Sequence, residues 1–334
     1  MKLIGLTGSI GMGKSTIAGM FADLGAVVWN ADDAVHRLYG RDGDAVLPVA
    51  QIFPDAVVDG IVDRSRLSRV LNNAEDIKKL EAIVHPLVVK DRMAAIDSAR
   101  TAGKPVMVLD IPLLFETGAA GFFDGIVVVS APAHVQRARV LERDGMSQQK
   151  FEQILAKQTP DEEKRSQADY VIDTNLDIGQ SRLLVEQCWA RIRAGDTLSG
   201  HVHSQFTSDH RLAVYGALAT EKPSAYGLAN IEGSWVPGII NGHVTGTGAE
   251  TGADTDLNSP AIKLDDVGKK GGGEKEGSEK IEVRVFEAAD LPAHWSRLDV
   301  VFVTENNAAY ARQRTLAQTE DGLVAVSVYA AHKR

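Results

Sequence analysis

The chain has 334 residues, of which 44% are hydrophobic, enough for about two domains of ~150 residues with buried cores. Its formal net charge of −9 argues against general nucleic-acid binding, which usually needs a basic face. The single cysteine, Cys188, excludes an intrachain disulfide, and no apolar run approaches the ~20 residues of a membrane span. We therefore expect a cytoplasmic protein whose partners include neither nucleic acid nor membrane, with the oligomeric state left open.

Residues 1–195 alternate between strand-like and helix-like patterns. Apolar runs predict strands at residues 3–7, 25–29, 106–109, 125–129 and 169–173, and helical patterns predict helices at residues 15–22, 77–100, 133–143, 147–158 and 178–193. Pro86 is expected to break or kink its helix, because proline lacks the amide N–H that a helix interior needs. The alternation predicts an α/β fold with a parallel sheet covered by helices on both faces.

The segment between the first strand and the first helix fits the phosphate-binding pattern G-x-x-x-x-G-K-[ST]. Glycines allow a tight turn close to an anion, and the N–H groups of the loop and of the helix N-terminus point at the phosphates. Lys14 is expected to reach the β- and γ-phosphates, and Ser15 to help hold Mg²⁺. The predicted nucleotide-binding residues are Gly8, Gly11, Met12, Gly13, Lys14, Ser15 and Thr16. The pattern indicates a P-loop NTPase-type sheet; a β–α turn without a ligand is the alternative.

Phosphoryl transfer also needs a positioned nucleophile and neutralised charge on the moving group. Asp32 follows the second strand and is expected to accept a hydroxyl proton or to hold the metal through water; capping of the next helix by Asp32 or Asp33 is the alternative. Asp110 ends an apolar strand, at the position of a Walker-B carboxylate that holds the metal. Arg139 and Arg143, four residues apart on one predicted helix, are expected to clamp phosphates when a helical lid closes, or else to form a solvated charged face.

Several motifs in residues 1–195 resemble the dephospho-CoA kinase family. Only the P-loop is specific by itself, so the order and spacing of the motifs carry the resemblance. The matching segments are Gly5 to Thr16, Asn30-Ala31-Asp32, Asp59-Gly60, Asp63-Arg64, Leu67, Val84-His85-Pro86-Leu87, Asp110 to Glu116, Gln136, Arg139, Arg143, Gln158 and Ala168 to Asp173. The sequence departs from the family pattern at Ser9, Met12, Asn30 and Thr174. Asn30 replaces the first aspartate of an Asp-Ala-Asp motif, so only Asp32 can inherit the role of base.

The resemblance implies the last step of coenzyme A synthesis, in which ATP donates its γ-phosphoryl group to the ribose 3′-hydroxyl of dephospho-CoA. Lys14, the loop backbone and Mg²⁺ are then implied to hold the triphosphate, and Asp32 to orient or deprotonate the hydroxyl. The acceptor side is implied to include His85, Leu113, Leu114 and Glu116. Another P-loop small-molecule or nucleotide kinase, or a nucleotide-binding regulatory protein, is the alternative.

Beyond the predicted kinase-like domain of residues 1–195, the patterns are weaker. Residues 196–241 show no clear period and are predicted as an irregular extension, and the Gly- and Asp-rich residues 242–279 as a flexible linker. Residues 280–334 are predicted as a small α/β segment of unknown role, with strands at residues 281–286, 298–303 and 323–328 and a helix over residues 307–318.

Overall fold

The computed structural model describes residues 1–195, 211–215, 234–245, 261–264, 279–287, 291–294, 310–319 and 322–331. In residues 1–195 the elements follow in chain order: β1 (Lys2–Thr7), α1 (Lys14–Asp23), β2 (Val27–Asn30), α2 (Ala31–Tyr39), α3 (Val46–Ile52), β3 (Val57–Val58), β4 (Ile61–Val62), α4 (Arg64–Val70), α5 (Ala74–Thr101), β5 (Val106–Asp110), β6 (Gly125–Ser130), α6 (Ala133–Leu141), α7 (Gln148–Leu155), α8 (Asp161–Ser166), β7 (Tyr170–Asp173) and α9 (Ile178–Ala194). The α/β fold predicted from the alternating patterns is confirmed.

Five of these strands form a parallel sheet with the strand order β2-β5-β1-β6-β7. The chain divides into two compact units, residues 1–7 with 21–125 and residues 8–20 with 126–334. In the first unit β5 pairs with β1 and with β2, and in the second unit β6 pairs with β7. Parallel strands end at one edge of a sheet, and open α/β sheets bind their ligands outside that edge.

The core of the first unit packs strands β1, β2 and β5 against helix α5. Every residue of β5 is buried, as expected for a continuous apolar strand covered on both faces. Leu3, Trp29 and Ile96 belong to one buried cluster with Met107 and Leu109 of β5. The indole N–H of Trp29 donates to Asp91 of α5 at 2.7 Å, so its polar atom is also satisfied. One buried cluster and the bond from Trp29 to Asp91 therefore hold strands β1, β2 and β5 against helix α5.

Helix α5 runs through Pro86 without ending, so the predicted break at this proline is wrong. Proline costs one helical hydrogen bond, but both halves of the helix are anchored by packing. Val84 is buried in the cluster that helices α2, α3 and α4 form, and Ile96 is buried against the sheet. Tertiary contacts on both sides of the proline hold the helix together.

In the second unit, helix α9 covers strand β7 with a row of buried side chains. Leu184, Cys188 and Ile192 recur at helical spacing and are at most 3% exposed. The buried thiol of Cys188 has its pKa raised because burial disfavours the thiolate. Cys188 is therefore a core residue. Across the described residues, every helix is too short or too polar to span a lipid bilayer.

Beyond residue 195 the described residues form a second sheet. Its strands are β8 (Arg211–Tyr215), β9 (Ser234–Thr245), β10 (Ala261–Leu264), β11 (Glu279–Glu287), β12 (Tyr310–Thr319) and β13 (Gly322–Ala331), in the spatial order β10-β9-β11-β8-β13-β12. Strand β9 also pairs with β12, where Gln318 lies opposite Ile239, so five of the strands close into a ring. Ala213, Ile240, Val285 and Val326 lie in its buried cluster.

Three sequence predictions differ from this second sheet. The helix predicted over residues 307–318 is wrong, because residues 310–319 form strand β12 and pair with β13 along their whole length. The predicted irregular extension contains β8 and the start of β9, and the predicted linker contains β10. Of the strands predicted in the last segment, residues 298–303 lie outside the described residues. Where residues 280–334 are described, they form strands and one short 3-10 turn, Leu291–His294.

Candidate functional site

The loop between β1 and α1 has the conformation that its glycines allow. Gly11 (φ 81°) and Gly13 (φ 86°) adopt left-handed backbone angles that favour glycine, and the N–H of Thr16 donates to Gly13 O at 3.1 Å. Lys14 begins helix α1 and is half-buried, whereas Ser15 and Thr16 are exposed in its first turn. The loop therefore presents a helix N-terminus, an ammonium group and two hydroxyls, which together suit a polyphosphate.

Residues near helices α6 and α7, in the same unit as this loop, form hydrogen bonds with it. The carboxamide of Gln136 donates to the carbonyl of Ile10 at 2.8 Å, and the N–H of Ile10 donates to Gln158 at 3.0 Å. The sulfur of Met12, whose side chain is 1% exposed, accepts from the N–H of Ala131 at 3.1 Å. Met12 is predicted to bind nucleotide, but its side chain belongs to the core, its N–H donates to the carbonyl of Ser9 at 3.2 Å, and its carbonyl accepts from Thr174.

The two predicted lid arginines line one cavity of about 300 Å³ next to the loop. Gly11, Gly13 and Thr16 of the loop contribute to the same cavity, together with residues after strand β7. Arg139 lies in α6 and Arg143 in the turn after it, since α6 ends at Leu141. The prediction that both arginines share one helix is therefore wrong, although it is right that they face one space.

Arg139 is fixed by two hydrogen bonds to Thr174. Its Nη1 donates to the Thr174 hydroxyl at 3.0 Å and its Nη2 to the Thr174 carbonyl at 2.6 Å. The same hydroxyl lies 2.8 Å from the carbonyl of Met12, to which it donates. Thr174, at a position where the dephospho-CoA kinase pattern often has asparagine, thus connects the backbone of Met12 to the side chain of Arg139. Arg143 is exposed.

In the first unit, Asn30 connects the ends of strands β2 and β5. Its side-chain N–H donates to Asp110 Oδ2 at 2.7 Å, and its side-chain oxygen accepts from the N–H of Asp33 at 3.0 Å. Asn30 is therefore the N-cap of helix α2, which excludes the alternative that Asp32 or Asp33 caps it. Asp32 is exposed in the first turn of α2, whereas Asp110 is fully buried.

The four predicted acceptor residues differ in their exposure. Leu113 is 43% exposed, but Leu114 is fully buried and packs against the backbone of Gly5, where an added Cβ would lie 2.6 Å from Leu114 Cδ1. His85 is exposed on α5, and Glu116 is half-buried in the segment after β5. The side chain of Leu114 is thus a core contact, and Leu113, His85 and Glu116 are left with surface to offer a ligand.

Comparison with known proteins identifies the first part of the chain. The family model described as dephospho-CoA kinase matches residues 2–180. A dephospho-CoA kinase of Mesorhizobium japonicum is 56% identical over 187 residues, which are 56% of this chain and 94% of that protein. The dephospho-CoA kinase of Ruegeria pomeroyi is 50% identical over 196 residues, 58% of this chain and 96% of that protein. The solved structure of TT1252 from Thermus thermophilus is 33% identical, with a TM-score of 0.50 over 58% of this chain and 97% of its own.

Proposed function

The chain belongs to the dephospho-CoA kinase family and is an ATP-dependent kinase, and we propose that residues 1–195 form its catalytic domain. It transfers a phosphoryl group from ATP to dephospho-CoA, and the alcohol that accepts the group is proposed to be the ribose 3′-hydroxyl. The observation that supports this most strongly is the loop from Gly8 to Thr16, with its exposed hydroxyls and its helix N-terminus, beside a cavity lined by two arginines.

We propose that the triphosphate of ATP lies on the N–H groups of this loop. Backbone donors fixed before the substrate arrives need little reorganisation during the reaction, so they stabilise developing charge effectively. Gln136 and Gln158 keep the carbonyl and the N–H of Ile10 occupied, which supports a fixed path for the loop. Lys14 supplies a full positive charge close to the β- and γ-phosphates.

Gly11→Ala is predicted to weaken ATP binding strongly. A Cβ at Gly11, where φ is 81°, would lie 2.4 Å from Val140 Cγ2 and 3.0 Å from Gln136 O, so the loop or α6 must move. Strained backbone costs about 1–3 kcal/mol, so we expect the ATP dissociation constant in calorimetry to rise about tenfold or more. Gly19→Ala is the matched control, because nothing lies within 4 Å of a Cβ added there. Equal affinities of the two variants would contradict the proposed loop.

Arg139 and Arg143 are proposed to neutralise negative charge on the phosphates of ATP. Both line the cavity beside the loop, and an arginine in such a place is commonly worth about 10³–10⁵ in rate. The bonds from Arg139 to Thr174 fix its guanidinium, so we assign it to holding bound ATP. The exposed Arg143 is then the residue that reaches the γ-phosphoryl group when the lid closes.

Asp32 is proposed as the group that orients the acceptor hydroxyl and accepts its proton. The carboxylate is exposed at the start of α2, and Asn30 already provides the helix cap, so capping does not occupy Asp32. His85, Leu113 and Glu116 are proposed to bind dephospho-CoA. A positioned carboxylate base contributes about 10²–10⁴-fold to proton transfer.

Mg²⁺ is proposed to accompany ATP. The hydroxyl of Ser15 is exposed at the N-terminus of α1, and oxygen donors of this kind suit a hard cation. Asp110 offers a buried carboxylate whose Oδ2 accepts from Asn30, an arrangement that fixes its orientation as expected for a residue that supports a metal site. When bound, the cation neutralises charge on the β- and γ-phosphates.

The activity is tested by measuring ADP release from ATP with and without dephospho-CoA, and by identifying the phosphorylated position of the product. We expect release to depend on dephospho-CoA and the product to carry its new phosphate on the ribose 3′-oxygen. Release that is equally fast with a nucleoside monophosphate, or independent of any acceptor, would contradict the proposal.

The net charge of −9 and the buried Cys188 agree with a small-molecule acceptor and a cytoplasmic location.

A further inference from the structure

The second sheet contacts the kinase part of the chain along one face of helix α9 and the segment that leads into it. The contacts include hydrogen bonds with strands β12 and β13, in the second compact unit. They reach Asn175, Gln180 and Gln187, and the last two are seven residues apart, which is about two helical turns.

Gln187 makes the most complete of these contacts. Its carboxamide N–H groups donate to the carbonyl of Leu323 at 3.0 Å and to the hydroxyl of Tyr170 at 2.7 Å, while its oxygen accepts from the N–H of Leu323. A side-chain amide offers two donors and one accepting oxygen, so each kind of group here has a partner. The amide of Gln187 therefore bonds to both the N–H and the carbonyl of Leu323, the two backbone groups that a neighbouring strand would use.

Two further contacts lie on either side of the start of α9. Gln180 and Thr315, both at most 5% exposed, share a hydrogen bond of 3.1 Å. The side-chain oxygen of Asn175, turned towards Arg314, accepts from its Nη2 at 3.1 Å and also from its Nε. Buried polar groups are normally satisfied, so a water-excluded pair such as Gln180 and Thr315 indicates a permanent rather than a transient contact.

The segment held in this way is also a wall of the cavity beside the phosphate loop. Thr174, Leu176, Ile178 and Ser181 line that cavity, and Asn175 and Gln180 lie between them in the sequence. On the cavity side Thr174 accepts from Arg139 and donates to Met12. This wall, residues 174–181, is therefore hydrogen-bonded to Arg139 and Met12 on its cavity side and to strand β12 on its other side.

We infer that the second sheet acts as a support for the ATP site: Arg314 and Thr315 of β12, together with the bond from Gln187 of α9 to β13, hold residues 174–181 in the position that binds ATP. This inference rests on the proposed function, since it takes the cavity beside the loop as part of the ATP site. The three are positioning residues, which act on ATP through the wall. Anything that loosens their contacts is expected to weaken ATP binding while leaving the acceptor side unchanged.

The test compares full-length variants Arg314→Ala, Thr315→Val and Gln187→Ala with the parent chain. Calorimetry gives the ATP dissociation constant, and steady-state kinetics gives kcat and the KM of each substrate. We expect the dissociation constant and the KM for ATP to rise about tenfold, within the usual range for coupling between sites. The kcat at saturating ATP and the KM for dephospho-CoA should stay at the parent values. The nearly isosteric Thr315→Val removes a hydroxyl with little change in volume, and its Tm is measured beside its ATP affinity because the change removes the acceptor of the buried Gln180 amide.

Gln318→Ala is the matched control, because Gln318 is exposed on the same strand and its side chain donates to the adjacent carbonyl of Thr319 at 2.9 Å. Unchanged ATP affinity in Arg314→Ala and Thr315→Val would overturn the inference. So would an equal effect of Gln318→Ala, or a parallel loss of all kinetic constants together with a lower Tm, since both indicate general destabilisation. A parent chain that binds ATP but fails to phosphorylate dephospho-CoA would contradict the proposed function instead, and the calorimetric comparison would still decide the role of the sheet.

Discussion

Replacing Lys14 with alanine is expected to lower kcat by about 10³-fold or more, since a single preorganised donor is commonly worth 10²–10³ and Lys14 adds a full charge. Lys14 begins α1 at the edge of the phosphate loop and is only half-buried, so its loss leaves the core intact. The measurement is dephospho-CoA-dependent ADP release at saturating substrates, with circular dichroism to establish that the variant is folded.

Lys2→Ala is the control for Lys14→Ala. Lys2 is also a half-buried lysine, but it lies at the start of β1, while the loop follows the end of that strand at Thr7. Five steps along a strand place it roughly 16 Å from the loop. We expect parental kinetics from Lys2→Ala. A folded Lys14→Ala variant with parental kcat would remove the loop from the proposed mechanism.

Asp32→Asn is expected to lower kcat by about 10²–10⁴-fold with little change in ATP affinity. The amide keeps the shape of the carboxylate but cannot accept the proton of the acceptor hydroxyl. Helix α2 should be unaffected, because Asn30 caps it. The measurement pairs kcat with the ATP dissociation constant, so that loss of chemistry is separated from loss of binding.

Asp33→Asn provides the comparison for Asp32→Asn. Asp33 is the next residue in the same exposed first turn, and its replacement removes the same charge from the same helix end. If charge near the N-terminus of α2 were the important property, the two variants would behave alike. We expect only Asp32→Asn to lose activity, and equal kcat values would assign Asp32 to electrostatics of the helix instead.

Much of the fold of residues 1–195 could be predicted from the sequence because its signals are local. The phosphate loop is a contiguous pattern, and the fully buried strand β5 is a contiguous apolar run. The bonds from Arg139 to Thr174 and from Asn30 to Asp110 could not be predicted in this way. They join residues 35 and 80 positions apart, and only the order of strands in the sheet brings such residues together.

Strand β12 shows where local preference fails. Its residues Tyr310–Thr319 include alanine, arginine, glutamine and leucine, which favour helices in isolation. The structure instead pairs ten residues with β13, places Ala317 in the buried cluster of the second sheet and buries the neighbouring Leu316 as well. Strand preference depends on the neighbours across the sheet, so a sequence with helical propensity is extended when partner strands and a core are available.

The pairing of Asn30 with Asp110 has a consequence for acid–base behaviour. An aspartate at position 30 would place two carboxyl groups within about 3 Å, and such a pair retains a shared proton because both members resist ionisation together. An amide has no proton to release in the physiological range and donates to Asp110 directly. The amide therefore replaces the coupled pair of carboxyl groups that the aspartate-containing form would have at these strand ends.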